Sequence, residues 1–131
     1  MVRAVIDTNI LVDYLQGVPE AANELAAYQA PSISVISWVE VMVGANPQTE
    51  QSVRAFLASF EQLPISERVA ELAVQLRKTA RIKLPDALIW ATAQASGCLL
   101  VTRNTRDFDP KVPGVRVPYT LLLAELRQTL P

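Results

Sequence analysis

Five oxygen-bearing side chains stand where a folded chain could gather them around a metal ion. Asp7 directly follows an apolar segment, and Asn104 and Asp107 follow another. Glu40 and Asp86 lie in the first turns of predicted helices. Hard cations such as Mg²⁺ bind oxygen ligands, typically one or two carboxylates with waters and substrate phosphates. Two such ions about 4 Å apart can activate a water and stabilise the leaving oxygen in phosphodiester cleavage.

The composition leaves little other catalytic chemistry open. The 131 residues include no histidine and a single cysteine, Cys98. Ser-His-Asp and Cys-His catalysis, histidine-ligated metals, cysteine-rich zinc sites and an intrachain disulfide are therefore excluded. If the protein is an enzyme, its acid–base or metal chemistry must rest mostly on carboxylates.

The overall charge neither requires nor excludes a nucleic-acid partner. The net charge is −1 and the isoelectric point is about 5.4, whereas nucleic-acid-binding domains are usually basic. Acidic residues concentrated in a metal site would weaken that objection, because a bound cation reverses the local field.

Short apolar runs alternate with helical periodicity along the whole chain, which predicts a parallel sheet covered by helices on both faces. Strands are predicted at 2–6, 32–35, 98–101 and 115–117, with a brief extended piece at 63–65. Helices are predicted near 8–15, 20–28, 37–43, 47–60, 69–76, 85–96 and 120–130. The length fits one domain spanning residues 1–131. No segment is long and apolar enough to cross a membrane, and no signal peptide is visible, so we expect a cytoplasmic protein.

Each acidic residue also has a purely structural interpretation. Asp7 could cap the helix that begins at Thr8. Ser37 and Glu40 fit a capping box. Asp86 is well placed against a helix dipole, and Asp107 could cap a turn. Spacing alone does not decide between these interpretations and a metal site.

Four local motifs, taken in order, resemble those of PIN-domain nucleases, and the resemblance covers essentially the whole chain. They are IDTNIL at 6–11, SWVEVMVG at 37–44, LPDALIWATA at 84–93 and LVTRNTRDF at 100–108. Within that family the chain is most similar to VapC toxins. The resemblance implies a three-layer α/β/α fold with a central parallel sheet, and Mg²⁺- or Mn²⁺-dependent cleavage of RNA. It also implies an endoribonuclease toxin of a type II toxin–antitoxin pair, with a cognate antitoxin and frequent homodimerisation.

Carried over position by position, the resemblance assigns the metal ligands to Asp7, Glu40 and Asp86. Many relatives have an aspartate where this chain has Asn104, which could still coordinate an ion or orient a water but brings no charge. Asp107 could compensate as a further ligand. Because of this departure from the family pattern, the sequence does not decide whether the site binds one metal ion or two.

Five further residues are candidates for substrate binding. Thr8 and Asn9 resemble the usual neighbours of the family's first aspartate, and Thr102 matches a hydroxyl residue common near the fourth motif. Arg103 and Arg106 border the predicted site, where they could contact RNA phosphates. Helix capping is the alternative for Thr8 and Asn9, and a solvated surface is the alternative for the two arginines.

Two other functions of the same fold stay open: a housekeeping PIN nuclease in RNA processing, and a catalytically inactive PIN-like module that binds RNA or protein. A haloacid-dehalogenase phosphatase is disfavoured because the second aspartate expected two residues after its nucleophile is Asn9 here. A nucleotide-binding module is disfavoured because the sequence has no glycine-rich phosphate loop.

Overall fold

The computed structural model describes residues 2–120, which form five short strands and six helices. The strands are β1 (Ala4–Ile6), β2 (Ser32–Ser34), β3 (Glu61–Leu63), β4 (Leu99–Val101) and β5 (Val115–Arg116). The helices are α1 (Thr8–Leu15), α2 (Pro19–Ala26), α3 (Val35–Val43), α4 (Glu50–Ala58), α5 (Glu67–Ala80) and α6 (Leu84–Ala95). Apart from Thr120, the helix predicted over 120–130 lies outside the described residues. Within 2–120, no helix is long and apolar enough to cross a membrane.

All five strands are parallel, in the order β3-β2-β1-β4-β5. The chain adds β2 and β3 on one side of β1 and then returns to add β4 and β5 on the other. The strand order therefore reverses between β1 and β4. The crevice outside the carboxyl ends of the strands at such a reversal is where open α/β sheets bind ligands.

The sheet separates two hydrophobic cores. In β1, Ala4 and Ile6 enter one core and Val5 enters the other, as the alternation of side chains along a strand requires. In β4, Val101 packs in the same core as Ala4 and Ile6, and Leu100 packs in the same core as Val5. Residues of α1, α2 and α4 cover the first face, and residues of α5 and α6 cover the second. The predicted three-layer α/β/α fold is confirmed.

Helix α3 begins two residues earlier than predicted. Val35 looks like the end of a strand, but Ser34 Oγ accepts a hydrogen bond from the Ile36 N–H at 3.1 Å and so caps a helix that starts at Val35. The predicted capping box of Ser37 and Glu40 is therefore wrong. Ser37 lies inside the helix and is fully buried, and Glu40 lies in the second turn. Both side chains are thereby free for other contacts.

Two smaller differences have local causes. Helix α4 begins at Glu50 rather than Pro47, because Asn46 Oδ1 accepts a hydrogen bond from the Thr49 N–H at 3.0 Å and holds 46–49 as a turn. Strand β3 occupies Glu61–Leu63 rather than 63–65, in parallel register with β2.

Candidate catalytic carboxylate cluster

Asp7 lies at the carboxyl end of β1, in the crevice where the strand order reverses. Ile6 is paired with Val101 of β4, so the residues that follow, Asp7 and Thr102, are brought side by side. The Asp7 N–H donates to the Val101 carbonyl at 2.9 Å, and Thr102 Oγ1 donates to Asp7 Oδ2 at 2.7 Å. The register of the two strands thus joins residues that are 95 positions apart.

The Asp7 carboxylate is only 3% exposed and is held on several sides. As the N-cap of α1, its Oδ1 accepts from the Thr8 N–H at 2.7 Å, and its Oδ2 accepts from Asn9 Nδ2 at 3.2 Å. Burial raises the pKa of Asp7, while the hydrogen bonds from Thr102, Thr8 and Asn9 oppose that rise. Asp7 therefore does cap α1, and the same contacts fix its carboxylate at the edge of the crevice.

We expect Thr102→Val to raise the pKa of Asp7 further, because the substitution keeps the side-chain shape but removes a hydrogen bond that favours the charged carboxylate. A carboxyl-carbon NMR titration of Asp7 measures this directly. Thr92→Val is the matched control, since the Thr92 hydroxyl is equally buried but donates to the Leu88 carbonyl within α6. An unchanged Asp7 titration in Thr102→Val would show that this hydrogen bond does not tune the carboxylate.

Asp86 lies in the first turn of α6, half-buried and close to other acids. Burial is the largest of the causes that raise the pKa of Asp86 to about 7. The negative charge of Asp7 is the next cause, a hydrogen bond with Asp107 favours the protonated form, and the charges of Asp107 and Glu40 contribute as well. Such repulsion is strong only at short range. The structure therefore brings these four acidic side chains into one region.

Asn104 organises the loop after β4. Its Oδ1 accepts from the N–H groups of Arg106 and Asp107 at 3.2 Å and 3.3 Å, so Asn104 caps the turn at residues 104–107. Its Nδ2 donates to Asp107 Oδ2 at 2.9 Å, and its own N–H donates to Thr102 Oγ1 at 3.0 Å. The amide thus holds Asp107 beside Asp86 and ties the loop to the residue that contacts Asp7.

Glu40, on α3, is connected to the cluster through hydrogen bonds of the Thr8 and Ser37 hydroxyl groups. Thr8 Oγ1 lies 2.7 Å from Glu40 Oε1 and 2.9 Å from Ser37 Oγ. The threonine hydroxyl has one proton, so donation to the carboxylate leaves the Ser37 hydroxyl to donate to Thr8. Asp7 and Glu40 are therefore both contacted by Thr8, one through its backbone and one through its side chain.

The donor set has the chemistry of a site for a hard divalent cation. Carboxylate and amide oxygens are the ligands that Mg²⁺ and Mn²⁺ prefer. Among residues 2–120, no three Asp, Glu, Cys or His side chains are already arranged to hold an ion. Instead, burial first and then the neighbouring acids raise the pKa of Asp86 and favour its protonated form. A cation would relieve the same repulsion with Asp86 ionised, so the residues fit the metal that the sequence predicts.

The two candidate phosphate-binding arginines differ in their surroundings. Arg103 forms a two-point ion pair with Asp13, with Nε–Oδ2 at 2.6 Å and Nη2–Oδ1 at 3.0 Å. The Arg106 side chain is exposed. Both line a groove of about 440 Å³ beside the cluster, together with Asn9, Asn104, Thr105 and Thr120.

Two residues that contact this region, Asp13 and Tyr119, lie outside the four sequence motifs. Ser37 lies in the second motif, but its contact with Thr8 was not predicted. The Tyr119 hydroxyl donates to Asp13 Oδ2 at 2.6 Å, in a region buried from solvent. One signal was available for Asp13, because an acid on the apolar side of a predicted helix needs a buried partner.

The family model of the PIN domain matches residues 4–111. The chain belongs to the PIN-domain family. Ribonuclease VapC10 of Mycobacterium tuberculosis is 31% identical over 124 residues, covering 88% of this chain and 92% of the relative. Ribonuclease VapC19 of the same organism is 31% identical over 123 residues, covering 87% and 98%. These similarities group the chain with the VapC-type ribonucleases of the PIN-domain family.

Solved structures agree with this grouping. A toxin–antitoxin complex from Klebsiella pneumoniae contains a chain that is 47% identical to this one, with a TM-score of 0.85. The match covers 90% of this chain and 99% of that chain. The predicted resemblance to PIN-domain, VapC-type proteins is confirmed.

Proposed function

We propose that this PIN-domain protein is a divalent-metal-dependent endoribonuclease that acts as the toxin of a type II toxin–antitoxin pair. The observation that supports this most strongly is the group of four acids around Asp86, gathered where the strand order reverses. Burial and the charges of the neighbouring acids oppose ionisation of Asp86, and a bound cation would offset both. An acidic group whose pKa is raised by burial and by neighbouring charges, in a cleft, is typical of a functional site.

In this proposal Asp7, Glu40 and Asp86 hold Mg²⁺ or Mn²⁺, with Asn104 or Asp107 as a further ligand. The ion would activate a water for attack on the RNA phosphodiester and stabilise the leaving oxygen, without a covalent enzyme intermediate. The protein's own contribution is to orient its carboxylates and, at Asp7, to offset part of the effect of burial on the pKa. Thr102, Thr8 and Asn9 favour ionised Asp7 through their hydrogen bonds.

RNA binding would use the groove next to the cluster. Arg106 is exposed there and can contact a phosphate. Arg103 lines the same groove, although its Nε and Nη2 pair with Asp13. Phosphate contacts supply affinity without sequence information. The acidic overall charge is compatible with this role because the proposed cation would reverse the field at the site.

The proposed partners follow from the relatives. The similar structure from Klebsiella pneumoniae is a toxin–antitoxin complex, so we propose that a cognate antitoxin binds this chain and inhibits it. Homodimerisation and a cytoplasmic location belong to the same proposal. Co-expression with the product of the neighbouring gene, followed by size-exclusion chromatography with light scattering, tests the antitoxin and the dimer together.

We expect Asn104→Asp to leave RNA cleavage similar or higher at saturating Mg²⁺ and to lower the melting temperature without metal. The carboxylate keeps the oxygen that caps the turn but replaces the donor to Asp107 with a like charge. Cleavage rates across a Mg²⁺ titration and metal-free thermal unfolding measure both effects. A severe loss of cleavage at high Mg²⁺ would instead assign the Asn104 amide a task of its own.

The direct test of the function is to map new 5′ and 3′ ends in total RNA treated with the purified protein and Mg²⁺. We expect defined internal cleavage sites that EDTA abolishes and that Asp7→Asn does not produce. Metal-dependent cleavage confined to precursor ends would favour a housekeeping processing nuclease. The absence of cleavage with intact, metal-saturated protein would favour an inactive PIN-like module.

A further inference from the structure

We propose that Asp13 and Tyr119 are positioning residues, which hold Arg103 and thereby hold the loop that carries Asn104 and Asp107 against the carboxylate cluster. The consequence for metal binding and cleavage rests on the proposed function. The holding of the loop itself does not, and it can be measured without metal or RNA.

The contacts around Asp13 form a closed unit. Asp13 is 3% exposed, yet its charge is fully paired, because the Arg103 guanidinium binds both of its oxygens and the Tyr119 hydroxyl donates to one of them. Two parallel N–H···O bonds fix the direction of an arginine as well as its distance. Three distant parts of the chain, α1, the loop after β4 and the segment after β5, therefore meet at one buried carboxylate.

Arg103 is also held through its backbone. Its N–H donates to Asn9 Oδ1 at 3.3 Å, and Asn9 Nδ2 in turn donates to Asp7 Oδ2. The side chain and the main chain of Arg103 are thus both attached to α1, the helix that Asp7 caps. Because both the backbone and the side chain of Arg103 are held, the next residue, Asn104, begins the turn from a defined position.

From that point the turn leads straight to the acids. Asn104 Nδ2 donates to Asp107 Oδ2 at 2.9 Å. After burial and the charge of Asp7, the proximity of Asp107 is a further cause of the raised pKa of Asp86. A loosened Arg103 would let Asp107 move away from Asp86. Loss of outer partners of metal ligands typically costs about 10- to 100-fold in metal affinity or activity.

The fold contains a matched control between α2 and β5. Glu24 is buried and is bound by Arg116 at 2.7 Å and 2.9 Å and by the Tyr28 hydroxyl at 2.6 Å. This second carboxylate–arginine–tyrosine unit ties α2 to β5, and among residues 2–120 its side-chain hydrogen bonds reach none of the four acids of the cluster. Arg116 meets the start of the loop after β4 through its backbone carbonyl, which accepts from the Thr102 N–H at 3.0 Å. Glu24→Gln therefore removes a similar ion pair and leaves this backbone hydrogen bond in place.

The test measures amide hydrogen exchange of residues 103–107 in metal-free Asp13→Asn, Tyr119→Phe and Glu24→Gln. We expect Asp13→Asn to accelerate exchange at Arg103, Asn104 and Asp107 about 10- to 100-fold, the factor that corresponds to losing a hydrogen bond between charged groups. Tyr119→Phe should act in the same direction by a smaller factor, and it keeps the protein foldable if Asp13→Asn does not fold. Glu24→Gln should leave exchange in this loop unchanged.

The second readout links the loop to the site. The Mn²⁺ concentration that gives half the maximal thermal shift should rise about 10- to 100-fold in Asp13→Asn and stay at the wild-type value in Glu24→Gln. Arg103→Lys keeps the charge but loses the two-point geometry, so its Mn²⁺ concentration for half the maximal thermal shift should lie between those of the wild type and Asp13→Asn.

Two results would overturn the proposal. One is loop exchange that stays at the wild-type rate in both Asp13→Asn and Tyr119→Phe, or that Glu24→Gln accelerates equally. The other is an Asp13→Asn protein with a loosened loop but with wild-type Mn²⁺ affinity. A wild-type protein that binds no Mn²⁺ and cleaves no RNA would instead refute the proposed function, and the exchange data would still decide whether the loop is held.

Discussion

Asp86→Asn is expected to reduce RNA cleavage at least about 100-fold while the fold is kept, since loss of even an outer partner of a metal ligand costs up to that factor. The substitution removes a proposed ligand charge. It preserves the fold because the amide can donate to Asp107, as the protonated carboxyl does. Single-turnover cleavage of a mapped RNA substrate at saturating Mg²⁺ measures the loss.

Asp109→Asn is the control for this substitution. Asp109 is an exposed acid close to the same loop, and its Oδ1 accepts from the Lys111 N–H at 2.9 Å. The control should cleave RNA at nearly the wild-type rate. If Asp86→Asn retained most of the activity, the assignment of Asp86 would be wrong, and if it unfolded the protein, its role at the start of α6 would be mainly structural.

The second large effect is a metal-dependent gain in stability that grows with pH. A divalent ion that binds only the folded protein, at 100 times its dissociation constant, adds about 2.7 kcal/mol to the free energy of unfolding. For a domain of this size that corresponds to a rise in melting temperature of roughly 10 °C. We expect Mn²⁺ or Mg²⁺ to produce such a rise near about pH 7.5 and a smaller one near about pH 5, where protons compete for the ligands.

The metal-free protein should show the opposite trend with pH. The pKa of Asp86 is about 7 in the folded protein against 3.8 for the unperturbed side chain. Between these values the folded state binds more protons than the unfolded state, so the free energy of unfolding falls as the pH rises through this window. Asp7 contributes in the same direction because burial raises its pKa too.

The Asp7→Asn/Asp86→Asn double variant separates specific binding from general ion effects. It should lose the metal-induced rise in melting temperature and, above about pH 7, be more stable without metal than the metal-free wild type. Thermal unfolding at several pH values, with and without Mn²⁺, gives both comparisons. Equal metal-induced shifts in the wild type and the double variant would contradict a specific site.

The sequence predicts the sheet well, and with it the ends of β1 and β4 at which Asp7 and Thr102 lie, because these features depend on local patterns. Apolar strands that end in polar residues are visible in the sequence, and Asp7 and Thr102 come together once β1 and β4 are neighbours in register. Proline at the start and glycine after the end mark α6, which carries Asp86. The four sequence motifs around these residues add information that periodicity does not contain, because they indicate which acids are expected in one site.

Long-range polar contacts are what the sequence does not reveal. The ion pair between Asp13 and Arg103 joins residues 90 positions apart. The local sequence around either residue does not indicate which residue it pairs with. The start of α3 is missed for a different reason: Ser34 and Ser37 are both good caps in isolation. Burial decides between them, because Ser37 is needed inside the fold beside Thr8.

We propose that Asp7, Glu40 and Asp86 together hold the catalytic divalent ion. The most direct test is the anomalous diffraction of a crystal of the full chain grown near about pH 7.5 with Mn²⁺, conditions under which Asp86 is expected to be ionised once the ion binds. We expect a manganese peak in the crevice between β1 and β4, with carboxylate oxygens of Asp7 and Asp86 about 2.1 Å from it and Glu40 bound directly or through a water. A protein that cleaves RNA but shows no manganese at this crevice, or binds it through other residues, would contradict this assignment of the ligands.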